Sequence, residues 1–139
     1  MDGKMQVMIG SSDLAARRGF TDILESKGLG LTRFSSIQQA RRALTREDVL
    51  LIFCENRLVD GTYEDLLTAA RSLHSQARIV VTGLEADQFD SLGYSKARDL
   101  GAFDVLRKSY GIKDLEWVVI CAMRDAQEVQ LAGARHNQN

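Results

Sequence analysis

Val49–Cys54 reads VLLIFC, apolar at every position. A strand with one solvated face alternates apolar and polar residues. A strand without alternation is covered on both faces, as central strands of parallel sheets are. Parallel neighbours cannot be joined by tight hairpins and need crossover connections, usually helices. This one run therefore points to an α/β layer architecture.

The rest of the chain supplies the other parts. Gln6–Gly10, Leu31–Phe34, Arg78–Thr82 and Ala102–Arg107 read as further strands, Leu31–Phe34 as an edge. Between them lie segments with apolar residues at helical spacing. Leu14–Lys27 carries Leu14, Phe20, Ile23 and Leu24, and Gly28 and Gly30 supply its stop. Ser35 or Ser36 caps a helix bearing Ile37, Ala40 and Leu44. Tyr63–His74 turns Leu66, Leu67, Ala70 and Leu73 inward, and Ala86–Leu100 is the next helix. The last helix runs from about Ile112 to about Leu131, with Ile112, Leu115, Val118, Val119, Ala122 and Met123 facing the sheet. Strict alternation with right-handed crossovers leaves few topologies. The expectation is a flavodoxin-like, doubly wound sheet of five parallel strands in the known order 2-1-3-4-5, a (βα)5 unit.

Length and charge narrow the function classes. The 139 residues make one domain, 1–139, with a core over about 5–126 and a tail, 132–139, expected to be disordered. A net charge of −1 favours neither nucleic acid nor an anionic membrane. No apolar run approaches bilayer length, and the N-terminus lacks the tripartite pattern of a signal peptide. Cys54 and Cys121 each sit in an apolar segment and read as reduced, buried thiols, which suits a cytoplasmic protein.

Four segments, in order, resemble the receiver domain of two-component response regulators. VMIGSSD resembles its first strand and acidic loop, FCENRLVDG its phosphorylation loop, IVVTG its fourth strand, and GAFDVLRKSY its fifth strand and following loop. The resemblance spans about Met5 to Ala126. It implies a signalling domain, not an enzyme, with Thr82 at the phosphate-contacting hydroxyl and Lys108 at the lysine that pairs with the acceptor.

The departures from the pattern concern chemistry. Glu55, one methylene longer, stands at the acceptor aspartate. Ser11 and Ser12 replace the two acids that hold Mg2+, leaving Asp13 beside them. Val105 stands where an aromatic switch residue is frequent, and Ser109 replaces a proline. Mg2+ is held by carboxylates and waters in near-octahedral geometry. Binding is expected to be weak or absent, with Asp13, Glu55 and the Arg57 backbone as the remaining candidates. The expected role is a phosphorylation-independent pseudo-receiver in which Glu55 reaches toward Lys108 and Thr82. One alternative is a phosphorylatable switch with a rebuilt site using Asp13 and Asp60. Another is a small-molecule binder using the same crevice.

Blander readings stand beside these. Glu55 is also an ordinary solvated strand-end acid, and Asp13 an ordinary helix cap. The arginine pairs 17–18 and 41–42 read as solvated helix faces, and His74 and His136 have no partners at ligand spacing. For interaction, Trp117, Ile120 and Val105 mark the face formed by the fourth helix, fifth strand and fifth helix. A protein partner or a second copy is expected there.

Overall fold

The computed structural model describes residues 4–10, 19–84, 91–107 and 110–137. The apolar run becomes β3 (Val49–Glu55), the middle strand of a five-stranded sheet. Around it lie β1 (Gln6–Gly10), β2 (Gly30–Arg33), β6 (Arg78–Leu84) and β7 (Asp104–Arg107). The order is β2-β1-β3-β6-β7, every pairing parallel. Counted along the sheet's own strands this is 2-1-3-4-5, as expected. A two-residue hairpin, β4 (Arg57–Leu58) with β5 (Gly61–Thr62), forms in the loop after β3 and was not foreseen.

Alternation along the strands sorts side chains to two cores. Val7, Ile9, Leu51, Phe53 and Val80 point to one face. There they meet Phe20 and Leu24 of α1 (Phe20–Ser26) and Leu115, Val118, Val119 and Ala122 of α5 (Ile112–Asn137). Phe20 and Phe53 stand edge to face, centroids 5.6 Å apart at 82°, the favoured aromatic geometry. Met8, Ile52, Cys54, Ile79 and Val81 point to the other face. That face is covered by α2 (Ile37–Arg46), α3 (Tyr63–Ser72) and α4 (Ser91–Asp99).

The pairing of β1 with β3 slips between Gln6 and Val7, so Leu50 is passed over in the ladder. Leu50 and Leu51 consequently share one core, as an extra bulge residue allows. At the other end of β1, a Cβ on Gly10 would collide with the ring of Phe34. That position demands glycine because a buried aromatic crosses over it.

Helix ends follow local chemistry. Ser36 caps α2 by accepting from the Gln39 N–H at 3.1 Å. Asp65 accepts from the Thr62 N–H at 2.9 Å at the start of α3. The tail departs from expectation: α5 runs to Asn137 rather than giving way to a disordered segment at residue 132. Its extension over residues 132–137 reads AGARHN; the alanines and the arginine are good helix formers, and the single Gly133 costs only about 1 kcal/mol.

Candidate functional site

In open α/β sheets the working crevice lies beyond the carboxyl ends of the strands. The described strands end there on Gly10, Arg33, Glu55, Leu84 and Arg107. Glu55 is thus the lone carboxylate among these ends. It is half-buried and pairs in register with Thr82 on the neighbouring strand. The Asn56 N–H donates to the Thr82 carbonyl at 3.0 Å, which ties the exit of β3 to β6. Gly83 follows with φ +79, and a Cβ there would lie 3.9 Å from the Glu55 Cγ. That distance is an ordinary van der Waals contact, so the left-handed φ, rather than crowding by Glu55, is what favours glycine there.

Thr82 is the buried polar residue of the described core, 1 % exposed, and its hydroxyl has no hydrogen-bond partner there. A buried hydroxyl left unpaired costs about 1–3 kcal/mol. Beside it, burial and then the Glu55 charge push the Cys54 thiol up to about 12. The thiol donates to the Glu55 carbonyl at 3.2 Å. A thiol so shifted is neutral at physiological pH and takes no part in nucleophilic chemistry.

The sequence brings Glu55 and Thr82 together as expected. Lys108, Asp13, Ser11 and Ser12 lie outside the described residues. Among the described residues no three His, Cys, Asp or Glu side chains converge as a metal-binding group. Of the expected Mg2+ candidates the described ones are Glu55 and the backbone of Arg57, which is exposed and built into the hairpin opposite Thr62.

Asp60 has a different job from the one that a rebuilt metal site would give it. Its carboxylate accepts from the backbone N–H of Ile37 at 2.7 Å and of Gln38 at 3.1 Å. These bonds hold the acid below its ordinary range, the Ile37 bond most strongly. Asp60 therefore staples the loop after β3 to the start of α2. An acidic residue beside a turn glycine, with an unsatisfied helix start two elements back, is the signal that sequence reasoning passed over.

Val105 is a correction. It was expected on the interaction surface but is 5 % exposed, packed with Val81, its ladder partner, and Ala97 of α4. Alternation on β7 turns it under the helix. Trp117 is 57 % exposed and Ile120 half-buried, both on α5. The Arg124 guanidinium lies 5.8 Å from the centre of the Trp117 ring, within cation–π range.

This architecture is the receiver fold. The signal receiver domain of a LuxO repressor protein from Vibrio parahaemolyticus is 17% identical over 93% of this chain and 97% of that one, with TM-score 0.78. An adenylate cyclase structure from Rhodopirellula baltica is 13% identical over 100% of both chains, TM-score 0.78. Full-length FixJ from B. japonicum is 22% identical, TM-score 0.74, over 96% of this chain and 64% of that one. No protein-family model and no curated protein matches the sequence. At these identities the likeness establishes the fold, and function has to be argued from the site.

Proposed function

We propose that this chain is a receiver-type signalling domain that works in the cytoplasm through protein–protein contact, without phosphorylation and without catalysis of its own. One observation carries the reading: the acid at the carboxyl end of β3 is Glu55, in register with Thr82, whose buried hydroxyl has no partner among the described residues. A glutamate there supplies a built-in carboxyl group where the family transiently adds a phosphoryl group. Its carboxyl oxygens sit one carbon further out than those of aspartate, and phosphoryl transfer tolerates little misplacement. Transfer also leans on a divalent ion to neutralise charge, and the described donor set fits one poorly. Asp60, which a rebuilt site would call on, is committed to α2.

Incubation with Mg2+ and acetyl phosphate, followed by intact mass measurement, tests the proposal. The expected result is an unchanged mass. A stoichiometric gain of one phosphoryl group, lost on hydroxylamine treatment, overturns it.

A further inference from the structure

The amino ends of the strands, the pole opposite Glu55, hold a basin of about 540 Å3. It lies between the turn after α1, the starts of β1, β2 and β3, and one flank of α5. Its apolar wall is Met5, Leu29, Leu50, Ile120, Met123 and Ala126. Leu50 joins that wall because the slip between β1 and β3 sets it on the same side as Leu51. The volume falls in the range of about 300–1,000 Å3 usual for small-molecule sites. The two methionines let the wall adapt to the shape of an apolar guest.

Charge at the basin has one sign. Lys27 and Arg124 line it, and among its described lining residues there is no carboxylate. The Lys27 side chain is 19 % exposed, and its ammonium stands 3.7 Å from the Glu116 carboxylate. That is an ion pair but too long for a hydrogen bond, so the donors of Lys27 remain for another oxygen. Arg124 forms no ion pair with a described residue. Its guanidinium lies 5.8 Å from the centre of the Trp117 ring, a contact that leaves the planar fork of N–H donors for a carboxylate. Past Ala126 and Gln130 the basin adjoins a second cavity that carries Glu47 and Asp48, where an anion would be repelled.

We propose that this basin binds a single-chain amphiphile with an anionic head, a medium- or long-chain carboxylate. The head rests on Arg124 and Lys27, and the chain lies against Met5, Leu29 and Leu50. A cationic guest would meet two like charges there, and a small inorganic anion would leave the apolar wall wet. The proposal goes beyond the reading of the crevice and does not depend on it, because the basin lies at the other ends of the strands. A guest in it touches α5 and the strand starts at once, so its binding ties the helix to the sheet.

Isothermal titration of the full chain with dodecanoate, kept below its micellar limit, is the first test. Saturable binding of one equivalent is expected. Decanoate should bind about tenfold more weakly, since each buried methylene is worth about fourfold. Decanol, with the same chain length and no charge, should bind more weakly than decanoate. Arg124→Glu should weaken dodecanoate by about tenfold or more, the scale of a charge-assisted hydrogen bond, and leave decanol unchanged. A merely structural role for Arg124 would weaken both alike. Ala126→Phe fills the basin and should abolish binding of both, with far-UV circular dichroism confirming the fold. No binding up to the micellar limit, uptake that never saturates, or an affinity for dodecanoate untouched by Arg124→Glu each overturns the proposal. So does cosedimentation with phosphatidylglycerol vesicles without one-to-one binding of dodecanoate, which would make the basin a membrane contact. A mass gain with acetyl phosphate removes the proposed function and leaves this site standing, and a failure to bind dodecanoate with unchanged mass does the reverse.

Discussion

At the carboxyl end of β6 a hydroxyl is buried without a partner among the described residues, whereas along α5 a tryptophan and a leucine stand in solvent. The first costs the fold because a polar group has lost water and gained no bond from the described residues. The second forgoes about 25 cal/mol for each Å2 of apolar surface left wet. Apart from Val59, Tyr94 and Val129, which are also exposed, most described large apolar side chains obey the usual partition and pack in one of two cores on either side of β3. Places where a sequence breaks rules that it keeps elsewhere are where function is expected. The two exceptions differ in what they lack: among the described residues the Thr82 hydroxyl lacks a hydrogen-bonding partner, and the outer face of α5 lacks a cover.

Substitutions can break or sharpen that contrast. The largest effect is expected at the frame common to both regions. Phe53 lies two residues before Glu55 and in the same core as the inner face of α5. Phe53→Ala should cost about 3–5 kcal/mol in denaturant unfolding. A cost below about 1 kcal/mol would mean that crevice and helix do not share a packed support. Next is Thr82→Val, which replaces the unpaired hydroxyl by a methyl of similar shape. It should be neutral or stabilise the domain by about 1 kcal/mol. A clear loss would show that the hydroxyl is satisfied, and the contrast would collapse.

The smallest effect belongs to Asp60. Its acid is held below the ordinary range by the Ile37 and Gln38 backbone bonds. A depressed carboxyl contributes stability above its unfolded pKa and loses it as pH falls through its folded one. Asp60→Asn should therefore lower Tm slightly at neutral pH. The gap between variant and wild type should close as the pH drops below about 4. A gap that persists unchanged in strong acid would show that the carboxylate's charge is not what holds the loop.

Much of the fold was legible in the residues. Unbroken apolarity placed Val49–Cys54 at the centre, helical spacing identified the inner face of α5, and the serine pair before Ile37 announced a cap. What escaped depends on contacts distant in sequence. Nothing in VLLIFC says that Leu50 and Leu51 share a side, because the slip is set by pairing with β1. The commitment of Asp60 requires knowing that the start of α2 comes within 2.7 Å of it. Val105 was misplaced because its role was carried over from a pattern rather than from its position on an alternating strand. The pairing of Glu55 with Thr82 was legible, since both end neighbouring strands of a known order. The extent of α5 was not, because composition gave the tail little reason to be buried and a helix needs no burial where its residues favour it.

Cys54 and Cys121 offer a practical asymmetry. With its proton held until about pH 12 and its sulfur sealed from solvent, Cys54 is closed to maleimides and to oxidants. Any dye or spin label added to the native chain is thereby directed to α5. One reagent then reports on the outer helix without an engineered cysteine-free background, and the signal it carries will register whatever comes to lie against that helix.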